Sequence, residues 1–130
     1  MNDPVPAAVI GVGTDLVEVA RIRTALDRTP GLRDRVFTPA EYAHSARHRD
    51  PAPHLAGRFA VKEAVMKALG QGLGAVSFTD IEVINRPSGE PDVALTGRAA
   101  AAASARAIGT WRVSLTHTAT LAHAVALALP

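Results

Sequence analysis

The stretch that decides the fold is GRFAVKEAVMKALG, residues 57–70. Its Ala, Glu, Met, Lys and Leu residues favour helix, no proline interrupts it, and Gly70 stands where a left-handed C-terminal cap belongs. At 3.6 residues per turn, its apolar side chains spread around most of the helix circumference. A helix of this kind is mostly buried rather than amphipathic. The stretch therefore predicts a central helix against which the other elements pack.

Four charged side chains interrupt this apolar helix. Arg58 and Lys62 fall inside the apolar arc, whereas Glu63 and Lys67 share one narrow strip. A buried charge is costly unless it is paired, hydrogen-bonded or bound to an ion. Glu63 and Lys67 are four residues apart, so one interpretation is an ordinary helical salt bridge worth a few tenths of a kcal/mol. The other interpretation is that these charges belong to a binding site.

The composition indicates one globular domain. The chain has 130 residues, of which 48% are apolar and 20% charged, so residues 1–130 are predicted to form one domain with a flexible lead-in at residues 1–7. The absence of cysteine excludes disulfides and thiolate metal sites. No signal-peptide pattern and no membrane-spanning apolar run is present, so we expect a soluble, cytoplasmic protein with no membrane partner.

The charge distribution is uneven. Residues 21–67 carry ten Lys and Arg against five Asp and Glu, although the net charge of the chain is only +2. A basic half favours an anionic partner, but a merely solvated basic surface is the alternative. A non-enzymatic module that binds nucleic acid or an acidic protein is a second alternative. Because the aromatic content is only 4%, base stacking is scarce and we expect no nucleic-acid partner.

The N-terminal element is predicted to be a strand over residues 8–15. Two glycines, Gly11 and Gly13, lie on the same face of this strand as Asp15, so another backbone or a ligand could approach closely there. A dinucleotide-binding loop is disfavoured because no third glycine follows at the required place. Asp15 is then either an ordinary helix N-cap or a cation ligand.

The remaining elements define an α+β order. A helix from about residue 17 to 28 exposes Arg21 and Arg28, and a second runs from an N-cap at Thr38 to about residue 49. After the central helix, the patterns predict a loop at 71–74, strands at 80–85 and 93–95, a helix at 97–108, a strand at 111–117 and a last strand at 121–129 that could also be a helix. The order strand, three helices, two strands, helix, two strands favours a mainly antiparallel sheet.

The carboxylates suggest a metal–phosphate site. Mg²⁺ prefers one or two carboxylates together with substrate phosphates and water. Asp15 and Glu63 could supply the carboxylates, while Arg58, Lys62 and Lys67 could neutralise the remaining phosphate charge. This arrangement would satisfy the charges of the central helix together.

The histidines allow two interpretations each. His117 ends the strand at 111–117, where it is either a core side chain or a phosphate donor or base. His44 and His48 are four residues apart with His54 nearby, a spacing that could bind zinc, but no cysteine or HExxH pattern supports it. We therefore do not expect zinc.

Three motifs in this order carry a family resemblance: IGVGTDLVEVARI at residues 10–22, GRFAVKEAVMKALG at 57–70 and VSLTHT at 113–118. The chain resembles the small bacterial holo-acyl-carrier-protein synthases of the 4′-phosphopantetheinyl transferase superfamily. The resemblance implies that family's fold, coenzyme A as substrate, Mg²⁺ or Mn²⁺ as cofactor, and transfer of 4′-phosphopantetheine to a serine of an apo acyl carrier protein.

The resemblance also implies residue roles. Asp15 and Glu63 correspond to the family's catalytic metal ligands, and Lys67 to the lysine that binds substrate phosphate and activates the nucleophile. His117 corresponds to the histidine that contacts the 3′-phosphate of coenzyme A. Arg58 and Lys62, from their charge and position, are also predicted to bind coenzyme A. The general base stays open between Glu63, Lys67 and a metal-bound water.

The resemblance further implies an assembly and a docking surface. Arg21 and Arg28 correspond to the arginines that bind the acidic carrier protein. The family forms homotrimers with active sites between subunits, so Arg58 or His117 could serve a neighbouring subunit's site.

Overall fold

The structure, a computed structural model, describes residues 8–72 and 74–130. The predicted lead-in at 1–7 and Leu73 of the predicted loop lie outside the described residues. A short 3₁₀ turn at Phe78–Asp80 precedes the second strand. The elements are β1 (Gly11–Glu18), α1 (Val19–Arg28), α2 (Leu32–Val36), α3 (Pro39–Ala46), α4 (Ala52–Leu69), β2 (Ile81–Asn85), β3 (Pro91–Leu95), α5 (Gly97–Ala105), β4 (Thr110–His117) and β5 (Leu121–Leu129).

The predicted α+β class and antiparallel pairing are confirmed. The bounds of several elements differ from the prediction, and α3 and α5 each end about three residues early. The short helix α2 was not predicted. The first strand lies three residues further along the chain than predicted, because its pairing with β5 continues to Glu18. The central helix α4 begins at Ala52, before the predicted start at Gly57, because the first turn of a helix tolerates proline and Pro53 lies in that turn.

The main sheet is three-stranded, in the order β1-β5-β4, and all of its pairs are antiparallel. β2 and β3 form a separate antiparallel hairpin. One face of the main sheet packs on α4, and β5 presents its buried alanines there: Ala122, Ala124, Ala126 and Ala128. Because α4 is covered on nearly every side, its buried positions include both apolar and charged residues. The sheet thus places the ends of β1 and β4 beside the central helix.

The two glycines of β1 make this packing possible. A Cβ atom on Gly11 would overlap the carbonyl oxygen of Ala68, and one on Gly13 would overlap the carbonyl oxygen of Ala64. Both carbonyls belong to the backbone of α4, which cannot move independently of its helix. The close backbone approach predicted for this strand is therefore confirmed, and it brings Asp15 against α4.

We expect Gly13→Ala to destabilise the fold by about 3 kcal/mol or more. Overpacking usually costs about 1–3 kcal/mol, and the cost here should reach the upper end because the overlapped atom belongs to a fixed backbone. Urea unfolding of the purified variant measures this loss. Gly72→Ala is the matched control, because nothing lies within 4 Å of the added Cβ atom at that position. Equal stability of the two variants would show that β1 does not lie this close to α4.

The opposite face of the main sheet is exposed and partly apolar. Val12 and Leu16 are 59% and 65% exposed. Their pairing partners on β5 are Leu127 and His123. Within residues 8–72 and 74–130, no helix is both long and apolar enough to cross a membrane.

Candidate active site

Asp15 and Glu63 line one cleft. β1 contributes Asp15 and α4 contributes Glu63, and the cleft between them has a volume of about 730 Å³. Arg21 of α1 and Phe59 of α4 also line it. Two of the predicted site residues that are 48 positions apart in sequence therefore share one cavity.

Only one of the two carboxylate oxygens of Asp15 accepts a hydrogen bond. Its side chain is 16% exposed, and Oδ1 accepts a hydrogen bond from Lys67 Nζ at 3.2 Å. Oδ2 is buried and has no hydrogen-bond partner among the described residues. A buried carboxylate oxygen without a partner is costly, so this atom is suited to bind a cation.

The pKa of the Glu63 carboxyl is also shifted by its surroundings. Burial raises the pKa of the Glu63 carboxyl, the negative charge of Asp15 raises it further, and Lys67 partly opposes both effects. Two carboxylates that repel each other in a partly buried cleft are stabilised by a cation between them. Among the described residues, no group of three or more potential protein ligands forms a metal site. Two carboxylates fit Mg²⁺, which takes its other ligands from water and phosphate.

Lys67 pairs with β1 rather than within its own helix. Its ammonium donates to the carbonyl oxygen of Thr14 at 2.8 Å and to Asp15. The alternative interpretation of a Glu63–Lys67 salt bridge is therefore wrong for this structure. The side chain is half exposed beside Asp15, so Lys67 is a cation at the edge of the metal cleft.

A second cleft contains Arg58 and His117. Its volume is about 460 Å³, and it lies between α3, α4, the β2–β3 hairpin and the end of β4. His117 is exposed, so the interpretation of a core histidine is wrong for the described chain. Arg58 is 6% exposed, donates from Nη2 to Asn85 Oδ1 at 3.1 Å, and has no partner for Nε among the described residues.

Three more histidines line this second cleft: His44, His48 and His54. Their proximity to each other had been anticipated from their spacing, but their proximity to His117 had not. Among the described residues, no group of three or more potential metal ligands was found.

The structure corrects the predicted assignment of Lys62 to coenzyme A, because its side chain does not face either cleft. Its side chain is fully buried and its ammonium lies 2.8 Å from Glu41 Oε1. It also donates to the carbonyl oxygens of Phe78 and Ile81. All three donors of a lysine ammonium are then used. Its assignment to coenzyme A is therefore not supported by its placement, and Lys62 is a structural residue.

Glu41 is the ion-pair partner of Lys62 that sequence reasoning missed. It also forms a capping box with Thr38, the predicted N-cap of α3. Its other oxygen accepts from the backbone N–H of Val83 at 2.8 Å, so one carboxylate joins α3, α4 and β2. The available signal was Lys62 itself, since a lysine inside an apolar arc requires an acidic partner.

Arg21 and Arg28 lie on the outer surface of α1. Both are exposed, and both line a shallow groove along that helix. Arg21 also borders the metal cleft. The prediction that both point away from the core is confirmed by their exposure.

Comparison with known proteins agrees with this geometry. Residues 11–126 match the family model of the 4′-phosphopantetheinyl transferase superfamily. A holo-[acyl-carrier-protein] synthase of Moorella thermoacetica is 48% identical over 92% of this chain and 93% of that protein.

Solved structures support the same relationship. An acyl carrier protein synthase of Plasmodium yoelii with ADP bound has a TM-score of 0.86 and 30% identity, covering 96% of this chain and 98% of that one. The holo-[acyl-carrier-protein] synthase of Helicobacter pylori in complex with coenzyme A has a TM-score of 0.78 and 30% identity, covering 92% and 99%. With the shared fold and the motifs at both clefts, the chain belongs to the 4′-phosphopantetheinyl transferase superfamily, among the holo-[acyl-carrier-protein] synthases.

Proposed function

We propose that this enzyme transfers the 4′-phosphopantetheine group of coenzyme A to a serine of an apo acyl carrier protein, with Mg²⁺ or Mn²⁺ as cofactor, in support of fatty-acid or polyketide synthesis. The serine oxygen bonds to the pantetheine-side phosphorus while the bond from that phosphorus to the bridging oxygen breaks. Adenosine 3′,5′-bisphosphate leaves, and the serine proton passes to a base. The observation that carries the proposal is the unpartnered oxygen of Asp15 beside the perturbed carboxyl of Glu63.

The chain's own residues supply charge and position. Asp15 and Glu63 would hold the metal, which when bound would offset the charge that develops on the transferred phosphoryl group and the leaving oxygen. Lys67, as a half-exposed ammonium beside Asp15, would add a second positive charge for the pyrophosphate. Since its ammonium already donates to Thr14 and Asp15, Lys67 acts as a cation rather than as the base. Positioning of the serine would contribute much of the remaining acceleration.

Arg58 and His117 would bind the 3′-phosphate of coenzyme A. They lie in the second cleft, which shares no lining residue with the metal cleft. One coenzyme A molecule must therefore reach both clefts on one chain or join clefts of two chains. We propose the second arrangement, in a homotrimer associated through the exposed apolar face around Val12 and Leu16. Sedimentation equilibrium should give three times the chain mass, and a monomer at micromolar concentration would reject this assembly.

The reaction is tested by mass spectrometry of an apo acyl carrier protein. Incubation with this enzyme, coenzyme A and Mg²⁺ should add about 340 Da, the mass of phosphopantetheine, to the carrier. The addition should stop in excess chelator. An unmodified carrier under all conditions, tried with fatty-acid, polyketide and peptide-synthetase carriers, would refute the proposed function. The alternative of a non-enzymatic basic module is not favoured by the comparisons, and the cytoplasmic location stays a prediction.

We expect charge reversal at Arg21 or Arg28 to raise KM for the carrier protein by about tenfold while KM for coenzyme A changes little, because exposed charges steer an acidic partner. The effect should shrink as salt is added, since exposed charges are screened. Steady-state kinetics at low and high salt measure both. Arg98→Glu, another exposed arginine on a different helix, is the control. If all three variants share the wild-type KM at low salt, the carrier docks elsewhere.

A further inference from the structure

Four histidine rings form a continuous row in the second cleft. The centroids of His44 and His48 are 5.8 Å apart, and those of His48 and His54 are 3.5 Å apart with nearly parallel rings. His54 then meets His117 edge-on at 4.8 Å. The row begins on α3 and ends on β4, so it crosses the whole cleft.

The charged groups around this row are mostly positive. Arg58 lies in the same cleft, and Arg47 also acts on His44. The residues that line the cleft include no carboxylate. Two acidic groups interact with this cleft, Asp50 with His54 and Glu41 with Arg58, and both have other partners: Asp50 forms a two-point salt bridge with Arg23, and Glu41 pairs with Lys62.

Without a ligand, this environment disfavours the imidazolium form. Burial and the charges of Arg58, Arg47 and His48 lower the pKa of His44. Burial, His48, His117 and Arg58 lower the pKa of His54. Two stacked imidazolium rings at 3.5 Å would repel each other. The positive charge of the buried Arg58 and the burial of the cleft therefore favour the neutral form of His44 and His54.

We propose that His44, His48 and His54, together with Arg58 and His117, bind a dianionic phosphate group and that His44 and His54 take up protons when they do so. The inference rests on the proposed function, because that function identifies the group as the 3′-phosphate of coenzyme A. Two negative charges would reverse the repulsion among the rings and favour the protonated form. A protonated imidazole has two N–H donors, whereas the neutral ring has one donor and one acceptor.

The geometry also explains why this cleft can use several histidines at once. The lining of the cleft combines imidazole rings from α3, α4 and β4 with the guanidinium of Arg58, so a phosphate bound there would meet N–H groups from more than one element. The unpartnered, buried Nε of Arg58 is a further donor available to that anion. A simple stacking role for the rings would not require the arginine, and it would give no proton uptake on binding.

The sign of the pH dependence follows from linkage. If the bound state holds more protons than the free state, affinity rises as pH falls, by at most about tenfold per pH unit for each proton. The phosphate takes its own proton near pH 6, which weakens the effect below that value. The useful window is therefore from about pH 8 down to about pH 6.5.

Isothermal titration calorimetry of the wild-type enzyme with coenzyme A and with dephospho-coenzyme A tests the proposal. We expect the preference for coenzyme A to rise about fivefold between about pH 8 and pH 6.5. Titrations in buffers of different ionisation enthalpy should show proton uptake with coenzyme A and much less with dephospho-coenzyme A. A preference that is independent of pH, without proton uptake, would overturn the proposal even though coenzyme A binds.

Variants of the histidines test whether the row causes the pH-dependent preference for coenzyme A. In His44→Gln and His54→Gln, glutamine keeps a donor but does not titrate, so the rise in preference should fall to about twofold or less. Arg98→Gln is the control, because it removes an exposed positive charge on α5 from a residue that does not line this cleft. An undiminished rise in both row variants would overturn the assignment. Absence of coenzyme A binding by the wild-type enzyme at every pH would instead refute the proposed function, and this inference with it.

Discussion

Asp15→Asn and Glu63→Gln are each expected to lower kcat/KM for carrier modification by roughly a thousandfold or more. Both changes remove a negative charge from the metal cleft while keeping the size of the side chain. Asp15 loses the anionic character of the unpartnered Oδ2, and Glu63 loses the charge that its environment already disfavours. Rates measured at saturating coenzyme A and Mg²⁺ check the prediction.

The double variant distinguishes a shared metal from two separate roles. Because both carboxylates act through one ion, the double variant should be little slower than the slower single variant. Asp34→Asn, which removes an exposed carboxylate on α2, should keep the wild-type rate. Independent, multiplicative losses would contradict the shared site, as would full activity of either single variant.

Lys62→Met is expected to destabilise the fold by about 3–5 kcal/mol, the usual cost of leaving one partner of a buried ion pair unpaired. The carboxylate of Glu41 would then be fully buried and would keep only its contacts to backbone N–H groups. Denaturant unfolding measures the loss. Arg35→Met, at an exposed cation on α2, should change stability by less than about 0.5 kcal/mol.

A double-mutant cycle isolates the pair. Glu41→Gln combined with Lys62→Met should cost less than the sum of the two single changes, because neither charge is then left alone. If the Lys62→Met variant remains folded, it should keep the wild-type KM for coenzyme A, since Lys62 is buried away from both clefts. A stable Lys62→Met protein with a strongly raised KM for coenzyme A would restore the original assignment of Lys62 to the substrate.

Local pattern was sufficient for the parts of the fold that depend on neighbours in sequence. The central helix was predictable from helix-forming residues and from Gly70, which adopts the left-handed conformation. The close approach of β1 to that helix was predictable from Gly11 and Gly13. The last strand was ambiguous because its buried face consists of alanine, which favours helix, and pairing with β1 and β4 on both sides decides the outcome.

The candidate site was predictable only where a residue carries its own signal. Asp15 and Glu63 were identifiable as carboxylates next to glycine and lysine. The Glu41–Lys62 pair was not, because its members are far apart in sequence and meet only when α3 packs on α4. The histidine row depends in the same way on β4, which brings His117 against His54.

Direct observation of the metal tests the central claim most sharply. Mn²⁺ binding in the presence of coenzyme A, followed by electron paramagnetic resonance, should show about one ion per wild-type chain. Asp15→Asn and Glu63→Gln should each bind Mn²⁺ about tenfold or more weakly, a loss of at least about 1.4 kcal/mol, whereas Asp34→Asn should bind like the wild type. Equal Mn²⁺ affinity in all four proteins would contradict a metal site between Asp15 and Glu63.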